Sequence, residues 1–463
     1  MAAEPSDDDA FCDACTLLGR FARHETSPSA VLAVQERRLA ARESALRCYI
    51  TYDAQGAQAA ASSADDAWQA DRPKPLLGLT LGVKDLYDVA GLPTTGGSAA
   101  YGQEPAVADA TVIRRLRDAG AVITGKLNTE ELAFGVISAP TRNPYNASRI
   151  PGGSSGGSAA ALAAGLIQLS VGTDTAGSIR IPAALCGVVG YKPSQGIVPR
   201  TGVMPLSDSL DHACPMARTV ADVRLLLDVI AGPDPDDPLS LPSIPPAPEP
   251  LTGVGVPWAW LRDEVDQGTL DLFLHALALL EQQGLRQEDL DWPPPEEFIS
   301  LQGSIRAPET YLTHRDAIAE RPEKFGPGLV ARIAAGRDSS AVDYVAALRE
   351  RHRLRRELEQ DLERRGVGFL ALPTTPLPAP PVGDTHVELR SGLHLTVREA
   401  LIRYTAPFNV TGWPAISLPL GLGRDGLPRG LQLVGRLYDD QRLLDVAERL
   451  SSLLPPLPRP SDA

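Results

Sequence analysis

Residues 79–84, LTLGVK, and residues 109–124, DATVIRRLRDAGAVIT, decide the fold. The first is a short apolar run that reads as a buried strand over 79–83, with Lys84 at its C-terminal end. The second opens on an acid, carries apolar residues at helical spacing and stops at Gly120, before an apolar run at 121–124 that reads as the next strand. Strand, helix and strand in this order predict an α/β chain with a covered, largely buried sheet.

The pattern extends in both directions. Upstream, Val31, Leu32, Val34, Leu39 and Leu46 predict a helix over 28–49, whereas 54–74, rich in Ala, Gln, Asp and Pro, reads as a loop. Downstream, 155–166 predicts a small-residue helix packed very closely, 168–172 a strand, and 219–232 a helix with an apolar stripe. Residues 232–252 hold eight prolines and predict an extended surface connection. Beyond it, the strand-like runs 367–372, 415–420 and 430–435 are expected to complete the sheet begun in the first half. Residues 342–365 predict a long helix with apolar residues at Val345, Leu348, Leu354, Leu358 and Leu362. Its arginines (Arg349, Arg351, Arg353, Arg355, Arg356), mixed with glutamates, read as a solvated face.

Composition narrows the function classes. The 463 residues are 43% hydrophobic and 22% charged, ordinary for a globular chain. A formal charge of -14 argues against general affinity for nucleic acid or an anionic membrane. Five cysteines fit a reducing compartment, and Cys12 and Cys15, with CxxC spacing but no second pair, read as ordinary thiols. The acidic start MAAEPSDDDAF is unlike a secretion signal, and no run is apolar enough to span a membrane, so the cytoplasm is the expected location.

Chemistry concentrates in three places: GVKD at 82–85, PGGSSGGSA at 151–159 and GTDTAGSIRIPA at 172–183. Attack on an amide or ester carbonyl needs a nucleophile, a destination for its proton and donors for the oxyanion. Ser178 ends a turn-like run after a strand, and the small residues Ala176 and Gly177 let the backbone N–H groups of Thr175, Ala176, Gly177 and Ser178 converge on one point. Of the seven histidines, only His212 lies close after the motifs in the sequence, and nothing around it marks a catalytic residue. Lys84 is the alternative base, because burial at a strand end disfavours the ammonium form.

These three motifs, in this order and at these separations, resemble the amidase signature family. The resemblance runs from about 77 to 232 and resumes at LPTTP (372–376), TAPFNVTGWPAISLPLG (405–421) and GLPRGLQLVGR (426–436). It implies one α/β/α domain over 1–463, with a central mixed twisted sheet flanked by helices. In that domain 77–232 is the signature core, and 253–463 completes the sheet and pocket. It implies a triad of Lys84 as base, Ser154 as relay after a cis Gly153–Ser154 bond, and Ser178 as nucleophile. Ser155 is implied as a hydrogen-bonding support near the lysine, and Asp174 and Arg180 as an ion pair bracing the oxyanion loop. Hydrolysis through an acyl-enzyme, with no metal or cofactor, follows from the same resemblance. The implied partner is a small-molecule amide, and many family members are homodimers.

One position departs from the family pattern: Ala176 stands where many members have glycine, so the hole is expected to be shaped slightly differently. The same alanine occurs in allophanate-hydrolase-like members, whose extra C-terminal domain is not expected in this chain. The glutamyl-tRNA amidotransferase has an A component that shares the triad. Its second-half pattern does not match residues 304–337, SIRAPETYLTHRDAIAERPEKFGPGLVARIAAGR, which favours a stand-alone amidase. A binding protein on an inactive fold is disfavoured by the complete triad, and a phosphate-binding loop by the spacing of its glycines and lysines. Residues 405–413, with Phe408 and Trp413, and the loop 386–394 are expected near the substrate, although such aromatics more often belong to the core.

Overall fold

The computed structural model describes residues 7–102 and 104–461. Its strands are β1 Tyr49–Tyr52, β2 Thr80–Lys84, β3 Val122–Leu127, β4 Leu169–Asp174, β5 Val189–Lys192, β6 His212–Ala217 and β7 Gly253–Val256. They continue with β8 Arg286–Asp289, β9 Val367–Pro373, β10 His386–Glu388, β11 His394–Thr396, β12 Ala415–Leu422 and β13 Pro428–Gly435. Strands β10 and β11 form a separate hairpin, and the other 11 make one mixed sheet ordered β1-β3-β2-β4-β6-β5-β12-β13-β9-β7-β8. Strand β2 runs parallel to β3 and β4, and β7 parallel to β8 and β9, while the remaining pairs are antiparallel. The two halves of the chain meet where β5 pairs with β12, so the second half does complete the sheet.

Side-chain alternation along the strands sorts the two faces. Leu79, Leu81 and Val83 near β2, and Leu169 and Val171 of β4, join the main apolar core with the helices Thr111–Asp118 and Val220–Ile230. The intervening Gly82, Ser170 and Gly172 are small, and above them lies the helix Gly156–Ala163, every residue of which is buried. Lys84 and Asp174 belong to this second set of positions. The alternation therefore brings the two charged strand-end residues to the close-packed face.

Most expected elements are present within a residue or two, including the helix Ala341–Arg365 and the irregular connection over 232–252. Three readings are corrected. Residues 54–74 are not a loop: Ala54–Gln69 is a helix capped by Asp53, whose side chain accepts the Gly56 N–H. Alanine is the strongest helix former, and Ala57, Ala61 and Ala64 bury a face too small-featured to register as an apolar stripe. The helix after Asp109 begins at Thr111, and Asp109 instead pairs with Arg117 at 2.8 Å. The helix Ala341–Arg365 buries Ala347, Arg351, Leu354, Leu358 and Leu362 and leaves Val345 exposed. Arg351 is thus part of the packed face, donating to Val410 O at 2.7 Å and Ser209 O at 2.8 Å, while Arg349, Arg353 and Arg356 are solvated. Among the described residues, no helix is long and apolar enough to cross a membrane.

Candidate active site

Strands β2 and β4 are adjacent and parallel, with Val83 opposite Val171, so their C-terminal ends present Lys84 and Asp174 at one end of the sheet. Ligands of open α/β sheets bind outside such strand ends. The lysine is fully buried, and its Nζ donates to Ser154 Oγ at 2.7 Å and Thr173 Oγ1 at 2.7 Å. Burial pulls its pKa down to about 7, partly opposed by the charge of Asp174. A large fraction of the amine is therefore unprotonated at neutral pH.

Ser154 follows a cis Gly153–Ser154 peptide bond, and three donors hold its carbonyl: Thr129 Oγ1 at 3.0 Å, Glu130 N at 3.1 Å and Ser138 Oγ at 3.1 Å. Ser155 links the two serine motifs. Its N–H donates to Ser178 O at 3.1 Å and its Oγ to Thr173 O at 3.3 Å. A side chain at position 172 could not coexist with it, since a Cβ on Gly172 would sit 2.7 Å from Ser155 Oγ.

The turn carrying Ser178 is braced from behind. Asp174 and Arg180 form a fully buried bidentate pair, with both N–O distances at 2.9 Å. Burial alone would raise the Asp174 pKa, but the Arg180 charge and hydrogen bonds outweigh it and hold the carboxyl well below its ordinary range. Arg180 also donates to Thr405 O, Gln432 Oε1 and Asn409 Oδ1, and Asn409 Nδ2 returns to Asp174 Oδ1 at 2.8 Å. Thr405 Oγ1 donates to Ala176 O at 2.6 Å. These residues belong to the second-half stretches 405–421 and 426–436, which the sheet brings here through the pairing of β5 with β12.

The four candidate oxyanion donors are not equivalent. Gly177 N–H donates to Asp174 Oδ1 at 2.8 Å and is turned away from the cavity. The N–H groups of Thr175, Ala176 and Ser178 have no protein acceptor among the described residues. Gly177 takes the positive φ of the turn, +122°, and a Cβ there would collide with Thr405. Ala176 does not adopt a positive φ, so an L-residue fits that position without strain.

Ser178, Thr175 and Ala176 line a narrow cavity together with Phe134, Gln302, Arg306 and Arg398. Residues 302, 306 and 398 were not signalled by any motif. The residues expected near substrate do not line it: Phe408 and Trp413 are fully buried in the core, and 386–394 lies in the β10–β11 hairpin. A separate cavity of about 240 Å³ is walled by Thr173, Arg200, Asp211 and His212 without Ser178. His212 is buried between Leu210 O, 2.8 Å from Nδ1, and Lys192 Nζ, 3.4 Å from Nε2, so it is held as a structural residue of β6. Cys12 and Cys15 are unpaired, and no metal-binding cluster occurs among the described residues.

The family model described as "Amidase" matches residues 30–444. The chain is 38% identical over 412 residues to an amidase of Pseudomonas putida, covering 87% of each. It is 37% identical over 448 residues to the A component of the glutamyl-tRNA(Gln) amidotransferase of Roseiflexus sp. (strain RS-1), covering 89% of this chain and 90% of that one. A crystal structure of an amidase superimposes with a TM-score of 0.87 at 36% identity, covering 96% of this chain and all of that one. With the serine-glycine motifs, the mixed sheet and these similarities agreeing, the chain belongs to the amidase signature family of amide-hydrolysing enzymes.

Proposed function

We propose that this enzyme cleaves the C–N bond of a small carboxylic amide through an acyl-enzyme on Ser178, with Ser154 as relay and neutral Lys84 as base. Lys84 takes the Ser154 proton while Ser154 takes that of Ser178 as its Oγ adds to the carbonyl carbon. The N–H groups of Ala176 and Ser178, helped by Thr175, meet the developing oxyanion. Collapse expels the amine, which receives the proton back through the same relay, and water then releases the carboxylate. The carrying observation is the 2.7 Å contact between a buried Lys84 and Ser154 Oγ, next to a turn with unused N–H donors.

Replacing Ser178→Ala is expected to abolish labelling by a fluorophosphonate and to cut amide hydrolysis by at least about 10⁴-fold. Undiminished labelling of that variant would overturn the assignment of the nucleophile. The similarity to amidotransferase A components supports a second reading, in which the same triad releases ammonia for a partner. Purified chain that frees ammonia from simple amides on its own supports the stand-alone reading, whereas activity only with added partner proteins supports the other.

A further inference from the structure

Resting on that reading, we propose that the cavity beside Ser178 selects amides bearing a carboxylate, held by Arg306 and Arg398 with Gln302, so that short monoamides of dicarboxylic acids are the preferred class. Arg306 comes from the helix Pro295–Glu320 and Arg398 from the helix Val397–Ile402, and both line the cavity that Ser178 lines. Neither has a carboxylate within ion-pair distance among the described residues. The acid nearest Arg398, Glu399, is engaged at its own helix start, where its Oε2 accepts from Thr396 N at 2.9 Å and Thr396 Oγ1 at 2.7 Å. Arg306 lies over the Phe134 ring at 4.6 Å, and Arg332 shares that ring at 4.4 Å.

Two polar groups of this wall are left without partners. Arg306 Nε has no acceptor, nor does Nε2 of Gln302, a residue only 1% exposed. Burial, then the neighbouring guanidinium groups, pulls Arg306 down to about 9 and Arg398 to about 10, so both stay charged at neutral pH. Positive charge is thus concentrated, with no carboxylate in ion-pair contact with either arginine among the described residues, at one cavity of a chain whose formal charge is -14. A half-buried cation without an ion-pair partner is costly, and a planar carboxylate is the group whose geometry matches a guanidinium fork. A neutral amide would leave both arginines unpaired. An anionic one would satisfy them and the Gln302 amide together while its carbonyl faces Ser178.

The test compares monoamides of malonic to adipic acid with neutral amides of equal length, methyl replacing carboxylate. Wild type is expected to favour at least one anionic member by about tenfold or more in kcat/KM. Arg306→Gln and Arg398→Gln are each expected to lower that preference by about tenfold or more. Arg306→Lys, which keeps the charge without the fork, is expected to fall between, and thermal unfolding of each variant shows that it is folded. Calorimetry on the Ser178→Ala protein supplies an arm free of turnover, with the preferred anionic amide expected to bind about tenfold tighter than its neutral partner. Hydrolysis with no anionic preference in wild type, or a preference unchanged in both glutamine variants, overturns the carboxylate site while leaving the hydrolase reading intact. Anion-selective binding without hydrolysis of any amide upholds the site and overturns the hydrolase reading.

Discussion

Lys84 and Asp174 illustrate opposite consequences of burial at the residue scale. The lysine lacks a carboxylate in contact and is pulled to about 7, while Asp174 is bound by Arg180 and held ionised. As the proposed base, Lys84 must be unprotonated, so kcat/KM is expected to rise with pH and level off above about 7, as a pH–rate profile would show. Lys84→Ala should lose activity by several orders of magnitude and Lys84→Arg should not restore it, since arginine stays protonated. For the ion pair, Arg180→Met leaves Asp174 buried without its guanidinium partner and is expected to cost about 3–5 kcal/mol in denaturant unfolding. The depressed Asp174 pKa contributes stability above the unfolded value of about 4 and loses it as pH falls further. The gap between wild type and Arg180→Met should therefore narrow below about pH 4, and a gap independent of pH would argue against the charge as its source. At this scale the motif residues were legible because their types and spacing are unusual. The sharing of donors around Ala176 and Gly177 was not, because it depends on which way Asp174 points.

Among the elements, the helix Gly156–Ala163 is packed closely enough for a single methyl to matter. A Cβ on Gly157 would lie 2.6 Å from the backbone N and O of Asn128 and from Cys48 O, none of which can swing aside. Gly157→Ala is expected to cost about 1–3 kcal/mol, read as a lower melting temperature. An unchanged melting temperature would mean that the helix can slide outward. Strands and capped helices such as Val220–Ile230 were readable from apolar periodicity and a Thr219 cap. The helix Ala54–Gln69 was not, because alanine contributes propensity without contrast between its faces. Arg351 escaped for a related reason: its charge suggests solvent, but three acceptors in the interior claim its guanidinium.

Across the whole molecule, one sheet joins the two halves of the chain. Strand β5 is covered by β12, and Arg180 of the first half is satisfied by Thr405, Asn409 and Gln432 of the second. Residues 1–240 expressed alone would expose the β5 edge and strand a buried guanidinium. That fragment is expected to show no cooperative unfolding transition by circular dichroism or calorimetry, whereas a stable, cooperatively folded fragment would make the first half an independent domain.

The sequence by itself determined the α/β class, the family and the candidate catalytic residue types, because strand and helix periodicities and the serine-glycine spacing are local properties of the chain. It also allowed the second half to be expected in the same sheet. Only the tertiary structure decided which backbone donors are free, that His212 is structural, and that Arg306, Arg398 and Gln302 stand at the cavity of Ser178. Those residues lie more than a hundred positions from Ser178, on helices with ordinary patterns. Their meaning comes from the counter-charge that is missing around them, which no window of sequence can register.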